Sequence, residues 1–160
     1  MKEQTRRGLL TNAAKAAVAV GGGAILAKSA NAQVSGDLQK KRYPASSGEP
    51  SGGKPLFSPA VSYGNLLFLS GVGAHFKGTI EQHTQYVLDE LQKTLASAGS
   101  SLEKVLKVSV FLNNLDDYDA MNKVYANAGW GAIPPVRTTV SPAGGVPGHS
   151  LVEIDVIAYI

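Results

Sequence analysis

The sequence predicts an α+β domain in which two helices pack on one face of a mixed sheet. Three observations lead there. Two apolar runs flank a Gly64-Asn65 turn, two stretches carry helical periodicity, and the remaining apolar runs are short and β-branched. Their order is strand, strand, helix, strand, helix, strand, strand, which segregates the helices from a sheet rather than alternating them through it. The length of 160 residues, with 44% hydrophobic and 17% charged composition, fits one domain with its own core.

The elements follow in chain order. Residues 1–32 read as an export signal: Thr5-Arg6-Arg7-Gly8-Leu9-Leu10 opens it, a small-residue apolar run from Ala13 to Leu26 continues it, and Ala30-Asn31-Ala32 has the small-x-small form of a cleavage site. The pattern is similar to a twin-arginine signal; it predicts a periplasmic or otherwise exported protein beginning at Gln33, with no membrane association after signal removal. An amphipathic helix or a retained anchor is the other reading, although the run is short of the roughly twenty apolar residues that a span needs. Residues 33–54 are polar and rich in Gly, Ser, Pro and Lys, a linker around at most one short strand near Lys41-Arg42-Tyr43-Pro44.

The domain proper is assigned to residues 55–160. Leu56 to Tyr63 and Leu66 to Ser70 form the predicted hairpin, with Gly71-Val72-Gly73 ending its second strand. Thr79 with Gln82 gives a capping-box start to a helix in which Val87, Leu88, Leu91 and Leu95 recur at helical spacing until Gly99. Val105 to Leu112 is a strand, Asp116 to Ala128 a second helix with three aspartates near its start, and Val136 to Val140 and Leu151 to Ile160 are the last strands around a Pro/Gly loop, Ser141 to Ser150.

Charge and composition narrow the function. Five of the fifteen basic residues and one of the twelve acids precede position 33, leaving ten basic against eleven acidic residues. The basic footprint of a nucleic-acid binder is therefore missing from the mature part. There is no cysteine, so disulfides, thiolate metal sites and cysteine nucleophiles are excluded together. His75, His83 and His149 lack metal-ligand spacing and read as polar surface residues; no metal site is predicted. Trp130, between two glycines, reads as a packing residue.

Two charged residues stand out. Arg137 is the only arginine after position 42 and follows Pro134-Pro135 in a strand-like run. A guanidinium there calls for an anion, since its planar fork suits a carboxylate or phosphate at any working pH. Glu153, between Val152 and Ile154, points by strand alternation to the face shared with Asp155, Ile157 and Tyr159. An Arg137–Glu153 ion pair, a solvent-facing edge and a functional pair of residues all remain open on these grounds.

With these runs placed, the chain resembles the RidA (YjgF) family. The motifs are Ser58-Pro59-Ala60-Val61, Gly64-Asn65-Leu66-Leu67-Phe68-Leu69-Ser70-Gly71, Ala98-Gly99, Asn122-Lys123-Val124-Tyr125, Pro135-Val136-Arg137-Thr138-Thr139-Val140 and Val152-Glu153-Ile154-Asp155-Val156-Ile157-Ala158. The resemblance spans positions 40 to 160. It implies a chorismate-mutase-like subunit, a homotrimer with ligand sites between subunits, and hydrolysis of 2-imino or 2-enamino acids to 2-keto acids and ammonia without metal or organic cofactor. It also implies catalytic roles for Arg137 and Glu153, and substrate contacts from Arg137, Ser70, Gly71, Asn122, Thr139 and Phe57.

Several positions depart from the family pattern. Phe57 stands where many members have Tyr, Pro59 where Gln is usual, Val72 where Gln follows Ser-Gly, and Thr139 where Cys is common. The Ser141 to Ser150 loop is about a residue longer, which alters the cleft rim. The alternative function is a non-catalytic trimer of the same fold that binds small carboxylates.

Overall fold

The computed structural model describes residues 39–44 and 55–160; the signal-like segment 1–32 and most of the 33–54 linker lie outside the described residues. Six strands, β1 Lys41–Tyr43, β2 Ala60–Tyr63, β3 Leu66–Gly73, β4 Val105–Leu112, β5 Val136–Val140 and β6 Val152–Tyr159, form one sheet in the order β1-β2-β3-β6-β4-β5. Every neighbouring pair is antiparallel except β4 and β5, which run parallel. A parallel pair needs a crossover, and the helix Tyr118–Tyr125 supplies it.

The longer helix, α1, spans Ile80–Ser97, and the crossover helix is α2. Thr79 caps α1 as its sequence requires: its Oγ1 accepts from Gln82 N, and Gln82 Oε1 accepts from Thr79 N at 2.9 Å. Val87, Leu88, Leu91 and Leu95 are buried, and they meet Leu67, Leu69, Val108, Val110, Ile154 and Val156 from alternate positions of the central strands. Met121 of α2 joins the same core. Burial of each such side chain contributes about 1.5–3 kcal/mol, so this single layered contact is what holds the helices on the sheet.

Among the described residues, nothing covers the opposite sheet face. Leu66 and Phe68 of β3, Val136 and Val140 of β5 and Tyr159 of β6 are exposed there. They lie on the period-two positions that the core does not use.

Several sequence expectations need correction. The first hairpin strand begins at Ala60 rather than Leu56, because Pro59 has no N–H and restricts the residue before it; Leu56 and Phe57 are exposed. Gly71-Val72-Gly73 does not stop the strand after Ser70 but forms the last three residues of β3. A register shift between Leu69 and Val72 absorbs Ser70 and Gly71 as a bulge, and pairing resumes at Val72–Ile154 and Gly73–Glu153. The second helix is shorter at both ends: a 3-10 turn, Leu115–Asp117, precedes it with Asn114 Oδ1 accepting from Asp116 N at 3.1 Å. It stops at Tyr125, whose carbonyl accepts from the buried Trp130 Nε1 at 2.9 Å, a bond that Gly129 permits through its left-handed φ of 85°. The long loop holds a further 3-10 turn, Pro147–His149.

Candidate functional site

Arg137 sits on β5, an edge strand, opposite Val108 in the register of β4. Val108 is fully buried in the core, so Arg137 faces the helices. α2 receives it. Nη1 donates to Asn122 Oδ1 at 2.8 Å, Nη2 donates to the Tyr118 hydroxyl at 3.1 Å, and Cζ lies 4.6 Å from the centroid of the Tyr125 ring. Tyr118, Asn122 and Tyr125 fall on one face because they are spaced four and three residues apart on a helix. All three are neutral. Among the described residues no carboxylate pairs with Arg137, so its positive charge is oriented without being cancelled.

Two buried hydroxyls in this neighbourhood have no hydrogen-bond partner among the described residues: Oη of Tyr125, whose ring faces the guanidinium, and Thr139 Oγ1, two residues along the same strand face. Burial raises the Tyr125 phenol above its ordinary 10.0, and the nearby Arg137 charge offsets part of that rise. An unsatisfied buried hydroxyl costs about 1–3 kcal/mol, and such groups in native folds generally meet water or a ligand.

Glu153 lies elsewhere. It pairs with Gly73 on β3 and Phe111 on β4, and its neighbours Val152 and Ile154 are fully buried, so its side chain leaves the sheet on the face away from the helices. Arg137 is level with Val108 and hence with Val156, two strands from β6 and three residues from Glu153. At about 4.8 Å per strand and 3.3 Å per residue, the two Cα atoms are separated by roughly 14 Å, with side chains on opposite faces. An Arg137–Glu153 ion pair within one chain is ruled out.

Ser70 and Gly71 accompany Glu153, not Arg137. The bulge places Gly71 directly beneath the glutamate carboxyl group, where a Cβ would collide with Glu153 Oε1. Ser70 N donates to Pro59 O at 2.9 Å, and its Oγ donates to the same carbonyl at 3.2 Å. These bonds tie the bulge to the segment that carries Phe57. The candidate residues therefore fall into two separate clusters in one chain: Arg137, Asn122 and Thr139 on the helix side, and Glu153, Gly71 and Ser70 on the other.

His75 and His149 are exposed, as the sequence predicts, whereas His83 corrects that expectation. His83 is buried, its Nδ1 accepting from Leu151 N at 3.1 Å and its Nε2 donating to Phe76 O at 2.9 Å, an arrangement that fixes the neutral tautomer. It lines a hollow of about 600 Å³ together with His75 and His149. No group of three or more His, Asp or Glu among the described residues is placed to hold a metal.

Residues 52–160 match the family model described as Endoribonuclease L-PSP. The chain belongs to this family, the RidA/YjgF proteins. It is 40% identical over 128 residues to the mitochondrial protein mmf2 of Schizosaccharomyces pombe, covering 73% of this chain and 97% of that protein. It is 30% identical over 138 residues to Reactive Intermediate Deaminase A, chloroplastic, of Arabidopsis thaliana, covering 82% and 72% of the two chains. The solved structure of the Rid-family protein YyfA from Yersinia pestis matches with TM-score 0.63 at 30% identity, covering 68% of this chain and 90% of that one. Within this RidA/YjgF frame, the sequence does not mark Tyr118 or Tyr125 as partners of Arg137, although Tyr125 closes the Asn122-Lys123-Val124-Tyr125 motif; helical spacing around Asn122 is the signal, and using it requires knowing that β5 lies beside α2.

Proposed function

We propose that the protein hydrolyses 2-imino and 2-enamino acids to 2-keto acids and ammonia. The observation that carries this reading is the Arg137 guanidinium, held by neutral partners and left without a carboxylate of its own among the described residues. Such a group is prepared for an external carboxylate. The relation to a protein named Reactive Intermediate Deaminase A supports the reaction class.

The chemistry is modest. An enamine tautomerises to the imine; water adds to the imine carbon; the resulting carbinolamine expels ammonia and leaves the 2-keto acid. Arg137 grips the carboxylate and fixes the imine carbon, Glu153 orients or deprotonates the water, and Thr139, Ser70 or backbone amides hold the nitrogen. Thr139 suits this task because its hydroxyl has no partner among the described residues.

We propose further that the working site joins two copies of the chain within a homotrimer. The separation of the Arg137 and Glu153 half-sites on opposite sheet faces supports it, as does the uncovered row of Leu66, Phe68, Val136, Val140 and Tyr159. Burial of that row gives association a driving force. Mixing Arg137→Ala with Glu153→Gln protein should then restore part of the activity that each lacks alone; no recovery after subunit exchange would remove the shared-site claim.

The reaction is tested by generating an imino acid in situ and following ammonia release by the protein from Gln33 onward. Acceleration over the spontaneous rate is expected. Calorimetric binding of a 2-keto acid without acceleration would favour the carboxylate-binding module instead. Export of this chain rests on Arg6-Arg7 and Ala30-Asn31-Ala32; cell fractionation should find it outside the cytoplasm starting at Gln33, and a cytoplasmic chain retaining Met1 would contradict it.

A further inference from the structure

We propose that the Tyr118 hydroxyl binds the heteroatom on carbon 2 of the substrate, the imine nitrogen or keto oxygen, and so selects 2-imino and 2-keto acids over plain carboxylates. This rests on the reading of Arg137 as the carboxylate anchor.

The geometry begins at Arg137 Nη2, which carries two N–H groups. One donates to the Tyr118 oxygen at 3.1 Å. Because that oxygen accepts, the phenol's own proton is turned away from the guanidinium, and no acceptor for it occurs among the described residues. Asn122 Oδ1 occupies one N–H of Nη1, so three of the five guanidinium donors remain for a ligand.

Consider a carboxylate oxygen on the second N–H of Nη2. Two acceptors on one planar nitrogen, each about 3 Å away and about 120° apart, stand roughly 5 Å from each other. The phenol therefore does not share the carboxylate oxygen. It stands one heteroatom further on, and in a 2-imino or 2-keto acid the substituent on the carbon next to the carboxylate spans that gap. The outward phenol proton is donated to it. Tyr118 is 40% exposed, so its hydroxyl is open to a ligand, while its ring lies 5.7 Å from Arg137 Cζ and keeps the two groups together.

Donation to the imine nitrogen draws electron density from the carbon that water attacks, so the same contact serves turnover. Asn122, an amide fixed by its own bond to Nη1, sets the guanidinium plane but presents only its oxygen to it. Tyr125 lies under the guanidinium with its hydroxyl buried, which leaves Tyr118 as the phenol that a ligand meets.

The test is Tyr118→Phe, which keeps the ring and removes only the hydroxyl. Calorimetry would compare pyruvate with propanoate, two carboxylates of similar size that differ at carbon 2. The wild type should prefer pyruvate by about three- to tenfold, the worth of one neutral hydrogen bond, and Tyr118→Phe should lose that preference, the ratio of the two affinities being the quantity read. A role confined to orienting Arg137 would weaken both ligands together. Equal weakening of both, or a preference that survives in Tyr118→Phe, would overturn the inference while leaving the carboxylate site in place. If the wild type binds neither acid, or Arg137→Ala binds both unchanged, the proposed function itself fails.

Discussion

Gly71→Ala separates folding from chemistry at the glutamate half-site. A Cβ at Gly71 would overlap Glu153 Oε1 and stand 2.7 Å from Cδ and 2.9 Å from Cγ. Carbon atoms in ordinary contact lie about 3.5–4.0 Å apart, so Cδ must retreat by close to 1 Å and the oxygen by more. The obstructing atoms form the end of a flexible side chain, and Gly71 is not held in the left-handed region, so the backbone has no need to move. Stability should change by less than about 1 kcal/mol. Turnover should fall much further, by about 10- to 100-fold, the scale on which a displacement near 1 Å acts on a positioned reacting group. Thermal melting gives the first quantity and ammonia release from an imino acid the second. Pyruvate binding should survive, since Arg137 and the Asn122 and Tyr118 partners that orient it are untouched by the substitution. Unchanged turnover, with a crystal structure showing the glutamate displaced, would refute a role for Glu153.

Two further substitutions test the framework. Tyr125→Phe removes a buried, unpartnered hydroxyl while keeping the ring beneath Arg137, so stability at neutral pH should hold or rise by about 1 kcal/mol in urea unfolding. Burial raises the Tyr125 phenol above 10.0, so the wild type should lose stability as pH climbs through that value toward the higher folded-state one; this alkaline loss should be smaller in Tyr125→Phe, and equal loss in both proteins would contradict the cause given. Thr79→Ala breaks the capping box of α1 and should cost about 1 kcal/mol with turnover per folded molecule unchanged; an unaltered urea midpoint would show the cap to be unimportant.

The framework of this domain was legible because its signals are local. The capping box at Thr79 and Gln82, the four-residue rhythm of α1, and the β-branched run Val105 to Leu112 each specify an element without reference to the rest of the chain. The errors arose where partners decide. Gly71-Val72-Gly73 reads as a strand end, yet β6 continues the ladder across a bulge. Pro59 removed four residues from the expected first strand, and its carbonyl instead anchors Ser70. His83 reads as a surface residue because both of its ring partners, Phe76 O and Leu151 N, are backbone atoms outside its helix, the second 68 residues away.

The candidate site divides in the same way. Arg137 and Glu153 were conspicuous as charges among apolar neighbours, and strand alternation gave the correct face for Glu153. Their placement on opposite faces depends on the strand order β6-β4-β5, which no local pattern encodes. The tyrosine and asparagine setting of Arg137 is likewise a product of the β4-α2-β5 crossover.

The central claim is that Arg137 presents its charge to a substrate carboxylate. It is tested most directly by ammonia release from a freshly generated 2-imino acid, measured for the wild type from Gln33 and for Arg137→Ala beside a protein-free control. The wild type should exceed the spontaneous rate and Arg137→Ala should match it. A wild type no faster than the control, or an Arg137→Ala protein as fast as the wild type, would contradict the account.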